Sequence, residues 1–405
     1  MFPTLIGSRL NCPYCYRDFR AKEIRFRCSG RVGSRKKCTT SLDRVLADQM
    51  GDRQPQLPVF DADGRKPTAK HEPCGAETHY RLCPRCHSQL PVHFGRTESK
   101  LIALVGAKET GKTVYMTVLL HELMNTVGER FNASVLGADE NTRLQFESAY
   151  EHVLYEKREL HGPTKTATAE RGGRKPLVFS FTTGNGGGRV RRSLLSFFDT
   201  AGEDMVSERS IDQNVRYLTS ADGIILLLDP LQMRGARPHA DADAVLPPLS
   251  TAADTPATVL TNIIEQLHGR LGVKSNRRID KPIAVAFTKM DALDGYIPET
   301  SPLRRRPPTT AAFNEPDSLQ VHEHMRALLH EWAGHNIDDT LSKNFARYRL
   351  FGLSALGESP QVDSAESRSQ RVSDRGVQPR RVEDPFLWLM SEFSTIPKTL
   401  KPGGE

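Results

Sequence analysis

From about residue 100 onward, short apolar runs rich in β-branched residues alternate with longer stretches whose apolar positions recur every three or four residues. The runs are 101–105, 177–181, 194–198, 224–228, 283–287 and 349–354. Unbroken apolar runs of this length predict strands covered on both faces. The stretches between them, 111–129, 142–160, 207–219, 257–271 and 318–333, read as helices. This alternation predicts an α/β fold with a mostly parallel sheet flanked by helices. Runs 177–181 and 194–198 break it. Only TTGNGGGRVRRS lies between them, which predicts a hairpin and one antiparallel edge strand.

Before residue 97 the pattern differs. Aliphatic runs are few and turn signals are frequent, such as Asp63-Gly64 and the segment 73–75. All seven cysteines (12, 15, 28, 38, 74, 83, 86) fall here. Residues 1–96 therefore read as a small, metal-organised module, with 48–70 as an inserted loop. Three later segments, 232–256, 297–316 and 358–383, are too polar to bury much surface. The last of them is expected to be a disordered linker between an α/β domain over 98–357 and a closing helix over 384–397. In that helix, DPFLWLMSEF, Asp384 reads as a cap and Pro385 as the first helical residue.

Composition adds two constraints. The chain has 405 residues, enough for two or three domains, and no apolar run approaches the roughly 18 residues of a membrane span. With no basic segment and long apolar core at its start, a cytoplasmic location is expected. Charge is uneven: residues 1–100 carry 19 Lys+Arg against 10 Asp+Glu, so the basic excess sits in the cysteine-rich module. Such a patch suits nucleic acid, a membrane surface or an acidic protein.

The first strand runs into GAKETGKT. Gly106, Ala107, Lys108, Glu109, Thr110, Gly111, Lys112, Thr113 and Val114 form a phosphate loop of the pattern G-x-x-x-x-G-K-[ST] opening a helix. The glycines let backbone N–H groups turn toward phosphate, Lys112 supplies a point charge, and the Thr113 hydroxyl can ligate Mg²⁺. Three more segments end strands. In DTAG (199–202), Asp199 can hold Mg²⁺ and the Gly202 N–H can reach a γ-phosphate. In TKMD (288–291), the Asp291 carboxylate matches guanine, whose N1–H and 2-amino group both donate; adenine offers neither. The Lys289 stem can lie across the base. In SAL, a backbone N–H of Ser354, Ala355 or Leu356 can meet guanine O6. Ligands of open α/β sheets bind at these strand ends. GTP or GDP with Mg²⁺ is the expected ligand.

GAKETGKT, DTAG, TKMD and SAL together make residues 98–356 and the last helix resemble Ras-like P-loop small GTPases of the Ras and translation-factor type. The cysteine-rich front narrows the resemblance to the bacterial double-GTPase families, although only one complete motif set is present. The resemblance implies GTP hydrolysis with Lys112, Gly202 and Glu203 at the reaction centre. Two positions depart from it. Thr288 stands where many such proteins have Asn, while Asp291 is kept. Glu203 stands where many place a water-orienting Gln. A carboxylate cannot donate to the γ-phosphate and is repelled by it, so hydrolysis is expected to be slow without an activating protein. The switch threonine falls in HGPTKTATAERGGRKP; Thr164, Thr166 and Thr168 are candidates, with Thr168 favoured by spacing. Arg171 and Arg174 of the same loop are candidates for an internal arginine finger.

Cys12-Pro-Tyr-Cys15 and Cys83-Pro-Arg-Cys86 are matched knuckles that can close a zinc-ribbon-like tetrahedral Zn²⁺ site. Cys28, Cys38, His71 and Cys74 form the expected second site, His71-Glu-Pro-Cys74 having knuckle spacing. A cross-braced pairing is the alternative, and His79, His87 and His93 are alternative ligands. Four protein ligands per ion make zinc structural, for docking a partner or packing on the GTPase domain. The leading expectation is a slow GTPase switch. The alternatives are a non-hydrolysing GTP-binding scaffold and a nucleic-acid-binding zinc protein regulated by nucleotide.

Overall fold

The computed structural model describes residues 9–30, 37–95, 99–107, 109–160, 176–185, 189–197, 215–248, 255–271, 277–362 and 370–400. Seven strands form the main sheet: β1 (Ser99–Gly106), β2 (Ala133–Gly137), β3 (Leu177–Asn185), β4 (Arg189–Phe197), β5 (Gly223–Leu228), β6 (Ile283–Phe287) and β7 (Tyr348–Gly352). Their order is β2-β3-β4-β1-β5-β6-β7. Strands β4, β1, β5, β6 and β7 are mutually parallel, and β3 runs against β4 from Leu177↔Phe197 to Asn185↔Arg189. The α/β fold with its mostly parallel sheet and hairpin is as the apolar pattern implies. One detail is corrected. The antiparallel strand is not the edge, because β2 pairs outside it. Its sequence, ASVLG, leaves Leu136 65% exposed and carries too weak a pattern to stand out from the helix before it.

Five helices matter for the site: α1 (Lys112–Met124), α2 (Pro256–Leu271), α3 (Glu315–Glu331), α4 (His335–Asn344) and α5 (Asp384–Glu392). Helix α1 is shorter than its apolar pattern suggests; it stops at Asn125 (φ −103°, ψ −96°) and a separate turn, Thr126–Arg130, follows. The expected helix over 142–160 starts earlier, at Glu140, where the Asp139 side chain accepts from Thr142 N. Helix α5 is buried almost throughout, against β5, β6 and β7. Asp384 does not cap it. The carboxylate instead accepts from Arg381 at 2.8 Å.

Strand periodicity explains how the two parts of the chain join. Alternate residues Ile102 and Leu104 of β1, Leu195 and Phe197 of β4, and Phe179 of β3 face the main core. Leu101, Ala103, Leu194 and Val178 face the other way and pack with Cys12, Tyr14, Tyr16, Phe19, Cys83 and Phe94. A parallel sheet must be covered on both faces. On this side the cysteine-rich module supplies the cover.

The contact is also hydrogen-bonded. The β1–β4 ladder ends at Ala103↔Ser196, and there the Tyr217 hydroxyl takes over. It accepts from Leu104 N at 2.7 Å and donates to Ser196 O at 2.5 Å. The Tyr16 and Tyr217 rings lie 4.9 Å apart, the Tyr16 hydroxyl meets Ser196 Oγ at 2.9 Å, and Ser220 Oγ donates to Tyr16 O at 2.8 Å. From the module's Tyr14, the hydroxyl donates to the helix-capping Asp139 at 2.6 Å. Tyr217→Phe strands a buried N–H and a buried carbonyl. The expected cost is about 1–3 kcal/mol of unfolding free energy, read by urea titration with the slope unchanged.

Two segments read from composition as loose contain packed residues among those described. In 297–316, Ile297, Ser301, Leu303 and Phe313 are buried. Within the supposed linker 358–383, Arg381 is 2% exposed and Val382 fully buried, and residues 361–362 pair with 370–371. Single anchors hold these stretches, and an average over a polar window hides them. Among the described residues, no helix is long and apolar enough to cross a membrane.

Candidate functional site

β1 ends at Gly106 and α1 begins at Lys112. The loop between them needs its glycines. A Cβ on Gly106 would sit 2.7 Å from Thr110 Oγ1 and 3.1 Å from Leu227 Cβ of the neighbouring strand, and Gly111 has φ +76°. Glu109 also takes a left-handed conformation, φ 64°. Thr110 is buried and its hydroxyl donates to Ala107 O at 2.8 Å, bracing the loop from within. Lys112 and Thr113 occupy the first turn of α1, where helix N–H groups and dipole favour an anion.

β5 lies between β1 and β6, so the ends of β1 and β6 flank one crevice. The segment after β6 crosses it. Thr288 Oγ1 donates to Thr110 O at 2.8 Å, with Leu228 O at 3.3 Å. Lys289, itself left-handed at φ 55°, donates from Nζ to Glu109 O at 2.8 Å. Two consecutive residues thus bind two consecutive carbonyls of the phosphate loop. Thr288 does this without an Asn amide, since one hydroxyl suffices for a buried carbonyl.

The sequence reading missed the third partner. Asp229 follows β5 and is fully buried; Oδ2 lies 2.6 Å from Lys289 Nζ, and Oδ1 accepts from Leu231 N at 2.8 Å. A buried carboxylate with both oxygens satisfied fixes the lysine head, leaving its stem to pass over the crevice. The available signal was an acid at the C-terminal end of a strand, the same place as Asp199 and Asp291.

Asp291 sits two residues beyond Lys289. Burial pushes its carboxyl above the usual range, while a hydrogen bond from the Ser354 side chain and the positive charge of Arg380 pull it back. Ser354 follows β7, bringing SAL beside TKMD; Met290 N donates to Leu353 O at 3.2 Å. The Ser354 N–H is already engaged by Arg380 O at 3.1 Å. Lys108, Asp199, Gly202, Glu203, Thr164, Thr166, Thr168, Arg171 and Arg174 lie outside the described residues.

The cysteines form two clusters, Cys12/Cys15/Cys83/Cys86 and Cys28/Cys38/His71/Cys74, each with its ligand atoms within 4.8 Å of one another. Three turns are alike. Tyr16 N donates to Cys12 O at 3.0 Å, His87 N to Cys83 O at 2.9 Å and Gly75 N to His71 O at 2.7 Å. The donors Tyr16, His87 and Gly75 all have positive φ (59°, 57° and 72°). A tetrahedral ion with metal–sulfur bonds of about 2.3 Å sets its sulfurs about 3.8 Å apart. Cys12···Cys86 and Cys15···Cys83 are each 3.8 Å. In the second cluster Cys28···Cys74 is 3.5 Å and Cys38 lies 3.5 Å from His71 Nδ1. Both donor sets fit zinc. His87 is elsewhere engaged, its Nδ1 2.9 Å from Asp43.

The sequence profile of the family described as Double-GTPase 2 matches residues 100–365, about two thirds of the chain. The chain belongs to the double-GTPase 2 family. The putative ESX-1 scaffolding and assembly protein SaeC of Mycolicibacterium smegmatis is 29% identical over 339 residues, which span 78% of this double-GTPase 2 protein and 80% of SaeC. Among solved structures, the signal recognition particle receptor SRb-GTP/SRX complex from Chaetomium thermophilum matches with TM-score 0.30 at 13% identity, over 66% of this chain and 95% of that one. The S. cerevisiae Ski7 GTPase-like domain bound to GTP matches with TM-score 0.33 at 13% identity, over 75% and 52%. The double-GTPase 2 region takes in the phosphate loop, the DTAG and TKMD segments, and SAL.

Proposed function

We propose that this protein is a guanine-nucleotide switch that binds GTP with Mg²⁺ and hydrolyses it slowly, with two structural zinc ions in a front module that docks a partner. One observation carries the guanine reading. The Thr288–Lys289 pair is bonded to the Thr110 and Glu109 carbonyls, which supports the reading that Asp291, two residues on, lies at the rim of the phosphate loop. In this reading Gly106–Val114 wraps the phosphates, with Lys112 on the β- and γ-phosphates. Thr113, Asp199 and Thr168 would hold Mg²⁺. With Ser354 N–H taken, Ala355 N–H is the donor for guanine O6. The functional units are 1–96 and 98–357, closed by the C-terminal helix.

Asp291→Asn tests the base assignment. An amide presents a donor where guanine also donates, so GTP affinity should fall about ten- to a hundred-fold. Xanthosine triphosphate, with a 2-oxo group, should gain in proportion. Competition against a fluorescent nucleotide reads both. If the unaltered chain binds ATP as tightly as GTP, the reading is wrong.

A second reading has a specific basis. SaeC is described as a scaffolding and assembly protein, and Glu203 replaces the water-orienting Gln. A GTP-locked scaffold would bind GTP and fail to turn it over. Single-turnover hydrolysis, with Glu203→Gln alongside, separates the two: release of phosphate by the unaltered chain removes the scaffold, and none from either protein removes the enzyme.

A further inference from the structure

We propose that Arg380, in the segment leading to α5, is a positioning residue for guanine selection, clamping together the two loops that would read the base. The inference rests on the guanine-site reading above. It assigns part of that site to a segment outside all four motifs.

The segment lies along SAL. Ser354 N donates to Arg380 O at 3.1 Å and Arg380 N to Ser354 O at 2.8 Å, a two-way antiparallel bridge. Two residues earlier, Gln378 N donates to Leu356 O at 2.8 Å. The approach is so close that a Cβ on Gly357 (φ +88°) would lie 2.0 Å from Gln378 O. While its backbone holds SAL, the Arg380 side chain holds TKMD. Its Nη1 and Nη2 bond Asp294 Oδ1 and Oδ2 at 3.0 and 2.8 Å, a bidentate pair, and Asp294 N donates to Asp291 O at 3.2 Å. Asp294 also meets Arg304 at 3.9 Å. One residue thus spans the ends of β6 and β7.

The clamp is itself anchored. Arg381 is buried and bonds Asp317 of α3 at 2.8 and 3.2 Å and Asp384 of α5 at 2.8 Å. Such a support sets the angle of a loop and not merely its presence. Guanine selection needs that angle, because both hydrogen bonds to Asp291 are lost together if the carboxylate turns. It also needs the carboxylate ionised. Burial works against ionisation, as does the neighbouring Asp294; the Arg380 charge and the Ser354 side chain work for it.

The test uses the full chain with Arg380→Ala, Arg380→Lys and Asp294→Asn, and measures affinities for GTP, ITP and ATP by displacement of a fluorescent nucleotide. ITP lacks only the 2-amino group and keeps N1–H, so the GTP/ITP ratio reads the 2-amino bond to Asp291. That ratio does not depend on the fraction of protein correctly folded. Arg380→Ala should weaken GTP, which loses two bonds to Asp291, about ten-fold more than ITP, which loses only the N1–H bond, so the ratio falls toward one. Arg380→Lys, keeping the charge and one bond to Asp294, should restore part of it. Asp294→Asn, which breaks the bidentate pair but removes a charge that opposes Asp291 ionisation, should lower the ratio without moving the acid limb to higher pH. The acid limb of GTP binding should also move to higher pH in Arg380→Ala, because Asp291 then protonates more readily and binding is lost as pH falls through its pKa. An unaltered chain that prefers GTP, together with an unchanged ratio in Arg380→Ala, overturns this inference alone. An unaltered chain that prefers neither GTP over ITP nor GTP over ATP overturns the guanine reading and this inference with it.

Discussion

Lys112→Ala is expected to remove measurable GTP binding at micromolar protein. Lys112 opens α1 directly after Gly111, and no other residue of GAKETGKT except Lys108 carries positive charge. Removing one partner of a close, desolvated charge pair costs about 2–5 kcal/mol, or roughly 30- to 4000-fold in affinity. The helix should survive, since alanine is a better helix former than lysine. Isothermal titration with GTP, beside a thermal melt of the nucleotide-free chain, checks both statements. Retention of GTP affinity within three-fold would remove the phosphate-loop assignment.

Cys83→Ser should have the larger effect on stability. A structural zinc site supplies about 10–16 kcal/mol of binding free energy at neutral pH, comparable with the whole stability of a domain. The first cluster lies under the sheet: Cys12, Cys83 and Cys86 are fully buried among residues that also touch Leu101, Leu194 and Tyr217. The variant should hold one zinc per chain where the unaltered chain holds two, by mass spectrometry under native conditions and by elemental analysis. Limited proteolysis should then cut within the front module. A thiol-reactive chelator should reproduce the effect in the unaltered chain. Equal zinc content in both proteins would overturn the four-cysteine site.

How much of this was legible in the sequence depended on how far apart the partners lie. Motif residues contiguous in the chain were visible: GAKETGKT is one loop, and each cysteine knuckle is one turn. The two clusters could be written down because Cys12/Cys15, His71/Cys74 and Cys83/Cys86 keep the same spacing. Lys289 was visible, but Asp229, sixty residues earlier, was not; nothing near it in sequence hints at its lysine. Arg380 was hidden in a polar tract and acquires meaning only from Asp294, 86 residues before it. Tyr217 lies in the stretch 207–219, which reads as a helix, and nothing in that stretch marks it out. Its bonds to Leu104 and Ser196 arise because two parallel strands part there. The outer strand β2 escaped because an exposed edge needs no unbroken apolar run.

The tyrosine contacts between the cysteine knuckle and the sheet carry a mechanical consequence. Tyr14 and Tyr16 join the front module to Asp139 and to Ser196, and the Tyr16 ring packs on Tyr217, which in turn holds Leu104, so the contact at the knuckle is made at several points. The two parts are therefore expected to tumble as one particle: time-resolved anisotropy of a dye on the module should decay with a single slow correlation time set by the whole chain. A partner docked on the cysteine-rich face would then be held at a fixed bearing and distance from the phosphate loop, like a handle cast in one piece with its blade.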